Sequence, residues 1–453
     1  MTRQEPMEHL LGWLAGIRAF SQLRIEQVAL SDCTLWGLED GQLRHQTGGF
    51  FSAVGVHAKT GQAANGAGRD WVMIDQPEVG WLGFVVRQGQ GGVEWLLQAK
   101  TEPGNVHETH IAPTLQATRS NYKRLHGGKP TAFLDLFKTA TTVLSDGAYS
   151  EQGTRFLWKF NRNSVVALPK ENALDLSGLK HWAWCPSASL RALLDRDYTV
   201  NTDARSVIAT APWALLADGK PLFAAPVLAA SYRQHKTVAA KARVVRLAEK
   251  LVPRPWSKKV LWEPVPLNRL DGYSLTDHGL RDQTGQGVLA CYAIHVKGRE
   301  IDTWCQPFLT QSETLDVTLL MRVVKGQAQV FVRQYREVGF GRRAEYGPSL
   351  HGAHATPEKL SRMLAGSDIK ELAAVQQSDE GGRFMQVKSV YRIVLLQDTP
   401  DQDAYPFGEW VSLAVLEELV ARPGTTTNEL RSLVSVLLSA GFDARCQSVG
   451  PAS

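Results

Sequence analysis

The 453-residue sequence holds no uninterrupted apolar run of the roughly 18 residues that a membrane-spanning helix requires. Its N-terminal segment lacks the apolar stretch of a secretory leader, so the expected compartment is the cytosol. Cysteine is sparse. Cys33, Cys185, Cys291, Cys305 and Cys446 lie far apart and form no Cys-x-x-Cys pair, so neither a disulfide framework nor a metal site is expected. Cys185 and Cys305 each follow a Trp and read as ordinary buried thiols. The net charge of +5 is small for this length. The densest basic cluster, Lys236 to Lys250, lies on a helical pattern with Val244, Val245, Leu247 and Leu251, and reads as a solvated helix face rather than a nucleic-acid surface. No Gly-x-Gly-x-x-Gly follows a strand pattern, which argues against a bound dinucleotide. What remains, 43% apolar and 21% charged, is the composition of a globular protein with room for about two to three domains.

The chain repeats itself. Gln76 to Gln116 lies on Gln311 to His351 without a gap, matching Gln76 with Gln311, Glu78 with Glu313, Arg87 with Arg322, Glu102 with Glu337, Gly104 with Gly339 and Pro113 with Pro348. Other blocks recur in the same order: Leu43-Arg-His-Gln-Thr-Gly as Leu280-Arg-Asp-Gln-Thr-Gly, and Ser150-Glu-Gln-Gly-Thr-Arg-Phe as Ser378-Asp-Glu-Gly-Gly-Arg-Phe. So long a period signifies two fused units rather than a solenoid, here 1–225 and 226–453. Each unit opens on an amphipathic helix, Leu10 to Ile17 in one and Val238 to Leu251 in the other. A hairpin follows, Gly80 to Val86 with Val93 to Ala99, repeated as Val317 to Val324 with Gln327 to Gln334. Two short helices close each unit; in the second they are Leu413 to Val420 and one started by a capping box at Thr426-Thr-Asn-Glu429. The fold class is therefore α+β in tandem.

One stretch is too polar for a core strand. Gln98-Ala-Lys-Thr-Glu-Pro-Gly-Asn105 and Ala112-Pro-Thr-Leu-Gln-Ala-Thr-Arg-Ser-Asn-Tyr122 gather amides, hydroxyls, two cations, a carboxylate and a phenol directly after an apolar run. Such a set suits a polar, multiply oxygenated ligand. The stretch closely resembles the signature of the nucleoside-diphosphate-hexose 2,3-dehydratases. Ser150-Glu-Gln-Gly153, Asn161-Arg-Asn163, Val200-Asn-Thr-Asp-Ala-Arg205, Trp304-Cys-Gln-Pro307 and Glu380-Gly-Gly-Arg-Phe384 resemble further blocks of that family. The resemblance implies two tandem Nudix-like domains. The Glu-rich helix that holds magnesium in Nudix hydrolases is missing. It implies a lyase that removes water across carbons 2 and 3 of a dTDP-4-keto-6-deoxy-hexose without a cofactor or metal. It implies a homodimer, and a downstream 3-ketoreductase or aminotransferase as partner. A non-catalytic nucleotide-sugar binder and a Nudix-type pyrophosphohydrolase are the alternatives.

The elimination needs a base, an acid, a donor to the enolate oxygen and cations for the diphosphate. Glu102 is the candidate base, Lys100 the group polarising the ketone, and Tyr122 an acid or oxyanion donor. Asn105, Gln116, Thr118, Arg119, Ser120 and Asn121 are candidate substrate contacts, with Arg162 and Asn163 as a second polar pair after the aromatic run Phe156, Trp158, Phe160. His107, Glu108 and His110 read as a surface loop, and Asp203 with Arg205 as an ion pair. In the second unit Tyr335-Arg-Glu-Val-Gly and His351-Gly-Ala-His replace the polar motif, so the chemistry is expected in the first.

Overall fold

The computed structural model describes residues 5–58, 69–118, 130–169, 174–217, 219–252, 262–298, 301–341, 343–352, 368–397 and 408–449. Each repeat builds two sheets of matching design. The first sheet of repeat one is a meander of Trp36–Glu39, Gln42–His45, Ser52–Ala58 and Arg69–Asp75, closed by the parallel strand Phe156–Leu157. Repeat two follows the same order with Tyr273–Thr276, Gly279–Asp282, Gly287–His295, Thr303–Thr310 and Phe384–Met385. The second sheets carry the expected hairpins, Gly80–Gly89 with Gly92–Thr101 and Leu315–Val324 with Gln327–Tyr335. Lys325 and Gly326 turn the second hairpin at φ of 50° and 73°, the left-handed pair that matches strand twist. Phe160–Ala167 runs parallel to Gly80–Gly89, as Lys388–Leu396 does to Leu315–Val324. With both faces covered, Gly80–Gly89 reads as a nearly continuous apolar run: Leu82, Phe84 and Val86 enter one core and Val85 another.

The repeats are interlocked. Arg24–Val28 of repeat one pairs with Gly287–His295 of repeat two, and Trp262–Val265 of repeat two pairs with Ser52–Ala58 of repeat one. Two equivalent backbone latches join them. The Gly104 amide donates to the Gly381 carbonyl (2.8 Å), and the Gly104 carbonyl accepts from Gln386 N–H (2.8 Å). In mirror fashion Gly339 donates to the Gly153 carbonyl (2.8 Å) and accepts from Trp158 N–H (3.0 Å). Two buried helices, Thr202–Thr210 and Asn428–Leu437, pack on each other at the centre of one apolar core drawn from both repeats. Arg205 and Arg431 are both wholly buried there. Arg205 donates to the Leu194 and Val200 carbonyls and Ser435 Oγ; Arg431 donates to the Ser150 and Thr426 carbonyls and Ser206 Oγ.

Three expectations change. The helix after Thr426 starts one residue later: Thr427 is its cap and its Oγ1 accepts from Leu430 N–H, because the Thr426 backbone is already bridged to Tyr346. The aromatic run is no single strand. Phe156–Leu157 and Phe160–Ala167 belong to different sheets, and Trp158 at φ 47° turns out between them, 55% exposed. Cys305 is not a free thiol but is disulfide-bonded to Cys33, joining the repeats across 272 residues. Closing a loop of that length removes much disorder from the unfolded chain. Cys33→Ser, or reduction of the native protein, is expected to lower stability by about 2–4 kcal/mol in urea unfolding. Cys185, Cys291 and Cys446 are buried thiols. Among the described residues, no helix is long and apolar enough to cross a membrane.

Candidate active site

The strand Gly92–Thr101 delivers Lys100 to its end, and the chain then turns through Glu102, Pro103 and Gly104. The turn is held from both repeats. Glu102 N–H donates to the Glu108 carbonyl (3.0 Å), Asn105 N–H to the Glu102 carbonyl (3.2 Å), and Val106 N–H to Ser378 Oγ of repeat two (2.9 Å). Lys100 Nζ lies 3.0 Å from Glu102 Oε1, with side chains 17% and 5% exposed. Gln116 Nε2 also donates to Glu102 Oε1 (3.4 Å), while Gln116 Oε1 accepts from Asn201 Nδ2 (3.1 Å). Asn201 in turn caps the central helix, its Oδ1 accepting from Ala204 N–H (2.8 Å). A cation, a carboxylate and two amides thus converge beside the inter-repeat latch.

Repeat two contributes the opposite wall. The loop Glu380–Phe384 is fixed by the Gly104 latch and by Gln306, whose Nε2 donates to the Gly382 carbonyl (2.8 Å). A Cβ placed on Gly382 lies 3.7 Å from Glu380 Oε1 and 3.9 Å from Glu102 Oε1, so both carboxylates flank this glycine. Behind them Glu151 is bound by Asn161 Nδ2 and Asn428 Nδ2, each at 2.8 Å. Burial, with Glu380 nearby, pushes Glu151 up to about 7 against the pull of Arg431 and Lys159. Burial and three carboxylates, Glu380, Glu151 and Glu102, hold Asp203 well above the ordinary carboxylate range. Lys159, buried with its Nζ donating to the Glu78 carbonyl, is pulled below the usual lysine value by that burial.

The remaining sequence candidates divide clearly. Lys100, Glu102 and Gln116 are brought together, and half-buried Thr118 follows Gln116 on the same segment. Arg119, Ser120, Asn121 and Tyr122 lie outside the described residues. Asn105 is 2% exposed; its Nδ2 donates to the Glu108 carbonyl and its Oδ1 packs where Gly381 has no side chain. Asn163 is equally buried and ties its strand to the central helix through Ser206 Oγ (3.1 Å). Arg162 does not form a pair with it, because adjacent strand residues point to opposite faces. Arg162 is exposed, bound to both Asp146 oxygens (2.7 and 2.8 Å) and stacked 4.0 Å over Trp81. His110 is no surface residue either: it is 1% exposed, bonds the Val106 carbonyl through Nε2 (2.6 Å), and burial lowers its pKa to about 4. Arg205 donates to carbonyls and a serine, so it is not the partner of Asp203. Among the described residues no group of three or more His, Cys, Asp or Glu side chains is placed to hold a metal ion. Open depressions lie elsewhere, such as one of about 290 Å³ beside Asp146, Thr210 and Glu417; a turn built of motif residues from both repeats is better evidence of a site than an empty volume.

The mirror position in repeat two is sealed. Tyr335 stands for Lys100, Glu337 for Glu102, His351 for Gln116, Thr427 for Asn201 and Glu429 for Asp203. All five are 6% exposed or less. Tyr335 Oη donates to the Pro348 carbonyl (3.0 Å), and burial drives Glu429 up to about 8. Nearby Glu345, which accepts from Ser150 Oγ (2.6 Å), is pushed by burial up to about 7. Both groups keep a proton in the fold that the unfolded chain releases near 4.5. Their contribution to stability is complete below about pH 4.5 and is lost as pH rises through 7 and 8. Glu345→Gln is therefore expected to flatten the fall in melting temperature between pH 5.5 and 8; an unchanged slope would refute the assignment.

Adjacent cation and carboxylate, amides able to read hydroxyls, and a second set of carboxylates are the groups that proton-transfer chemistry on a polar substrate requires. The sequence model of the NDP-hexose 2,3-dehydratases matches residues 7–211 and 251–437, one stretch in each repeat. A dTDP-4-dehydro-6-deoxy-alpha-D-glucopyranose 2,3-dehydratase of Saccharopolyspora spinosa is 30% identical over 94% of this chain and 90% of its own. One of the same name from Amycolatopsis orientalis is 28% identical over 97% and 91%. The chain belongs to the NDP-hexose 2,3-dehydratase family. A solved ADP compounds hydrolase aligns with 34% of this chain and 85% of its own at 14% identity and a TM-score of 0.24, too slight a likeness to bear on the argument.

Proposed function

We propose that this protein removes water from dTDP-4-dehydro-6-deoxy-glucose, giving a dTDP-3,4-diketo-2,6-dideoxy-hexose, in the repeat-one site. The observation that carries this reading is the Lys100–Glu102 contact of 3.0 Å in a chain of this family. The hydrogen to be removed is on carbon 3 and the oxygen to be polarised is on carbon 4, so base and cation must be neighbours. Glu102, in contact with Lys100, takes the proton, while Lys100 Nζ stabilises the enolate oxygen. Gln116 and the run Thr118, Arg119, Ser120, Asn121, Tyr122 supply the sugar and diphosphate contacts, Tyr122 as a donor to the enolate oxygen. In this reading 1–225 carries the chemistry, 226–453 walls the site, and the protein is a cytosolic homodimer. Its labile diketo product passes to a 3-ketoreductase or aminotransferase.

The test is incubation with dTDP-4-dehydro-6-deoxy-glucose together with a 3-ketoreductase that traps the product. A trapped 2,6-dideoxy sugar is the expected result. Unchanged sugar with tight dTDP binding would instead favour a non-catalytic binder, and magnesium-dependent release of dTMP a pyrophosphohydrolase.

A further inference from the structure

Elimination of a hydroxyl two carbons from a ketone needs two proton-transfer groups of opposite poise. The base must be ionised, and the acid must still carry its proton at working pH. Glu102, salt-bridged to Lys100 at 3.0 Å, is the base of the proposed reaction. For the second, the structure offers Asp203, which sequence reasoning set aside. It stands in the first turn of Thr202–Thr210, 4% exposed, two residues beyond the cap Asn201. Hydrogen bonds from Asn201 to Gln116 and from Gln116 to Glu102 fix the start of this helix against the base. Among the described residues no hydrogen-bond donor reaches the Asp203 carboxyl, whereas Glu151 is held by two amides.

The charges around Asp203 decide its state. The helix N-terminus favours a carboxylate, and Lys100 favours it too. Against them stand burial and the carboxylates of Glu380, Glu151 and Glu102, and these prevail. Of the other elements packed on this helix, the strand end at Lys159 brings the opposing charge, a lysine that burial pulls below its usual value. Arg431 is taken up by Ser206, Thr426 and Ser150, Glu417 accepts from Trp213 N–H (2.8 Å), and His110 stays neutral at ordinary pH. Glu429 keeps its proton up to about pH 8, and Lys159 is held by the Glu78 carbonyl. Glu380 is the group of this set that comes from the second repeat's latch loop. Its counterpart in the mirror site is Gln152, an amide engaged with Asp379 (3.3 Å).

We propose that Asp203 is the general acid that protonates the departing carbon-2 hydroxyl, and that Glu380 of the second repeat is a positioning residue that keeps it in that role. The inference rests on the dehydratase reading. Glu102 takes the carbon-3 proton, and the C–H electron pair forms the enolate whose oxygen Lys100 holds. The ketone then re-forms, the pair makes the carbon-2 to carbon-3 double bond, the C2–O bond breaks, and the hydroxyl leaves with the Asp203 proton as water. Glu102 returns its proton to carbon 2 while the Asp203 carboxylate accepts the proton of the carbon-3 enol. The 3,4-diketone results and both groups end as they began.

The two steps separate in deuterium oxide. Wild-type protein is expected to exchange the carbon-3 hydrogen and to dehydrate the sugar. Asp203→Asn is expected to keep the exchange and lose dehydration by about 10²–10⁴-fold, with dTDP affinity and melting temperature preserved. Asp203→Glu should restore part of the loss. Dehydration at the wild-type rate in Asp203→Asn would overturn the proposal, and so would loss of exchange together with dehydration in a folded variant. Glu380→Gln removes a like charge from beside Asp203, so the alkaline limb of its kcat–pH profile should move to lower pH. An unmoved limb overturns the role of Glu380, and this variant stands if Asp203→Asn does not fold. Wild-type protein that neither exchanges nor dehydrates would instead overturn the dehydratase reading itself.

Discussion

Glu102→Gln is expected to lower turnover by about 10²–10⁴-fold, with dTDP affinity unchanged, and to abolish exchange at carbon 3. The amide keeps the shape of the turn and can still meet Gln116, but it cannot accept a proton. The matching change in the mirror site should behave oppositely. Glu337 is 2% exposed, and its charge helps drive Glu429 up to about 8. Above about pH 8, where Glu429 would ionise beside it, replacing that carboxylate by an amide relieves the repulsion of two buried charges, so Glu337→Gln should leave turnover intact and raise the melting temperature there. Comparing the two measures directly what divergence of the repeats has done. Equal losses of turnover would place the chemistry in both sites, and no loss in Glu102→Gln would remove Glu102 as the base.

The elements that could be read from sequence are those whose signal is local. The helix Val238–Leu251 and the hairpin of Gly80–Gly89 with Gly92–Thr101 appear where their periodicity and turn glycines place them. The exchange of Arg24–Val28 and Trp262–Val265 between repeats left no trace in the pattern, because a strand's residues specify its faces and not its neighbour. Cys33 and Cys305 met for the same reason: 272 residues separate them, and no spacing rule reaches that far. The convergence of Lys100, Glu102 and Gln116 was legible because polar side chains at the end of an apolar strand have few structural uses. Arg162 was read as a pair with Asn163, although alternation along the strand already sets the two on opposite faces. Asp203, Glu151 and Glu380 were visible as members of recurring blocks. Recurrence drew attention to their structural role, and only the packing of the repeats brings them beside Glu102.

Gly104→Ala and Gly339→Ala are expected to be the most destabilising single substitutions considered, each about 4 kcal/mol or more in urea unfolding. A Cβ on Gly104 would overlap the Phe384 carbonyl oxygen, and one on Gly339 would overlap the Phe156 carbonyl oxygen. In each case the obstacle is backbone of the opposite latch loop, which no rotamer change can relieve. The methyl group can be accommodated only by parting the repeats, with loss of both backbone hydrogen bonds at that latch. Gly91→Ala is the control: no atom lies within 4 Å of its Cβ position, and it should shift stability by less than about 0.5 kcal/mol. Stability should thus respond symmetrically to the two latches, while function should not. The Gly104 latch alone sets Glu380 against Glu102. At a temperature where both variants remain folded, Gly104→Ala should lose dehydration far more than Gly339→Ala. Equal residual activities would show that the second repeat's loop is a structural clamp and does not help to shape the site.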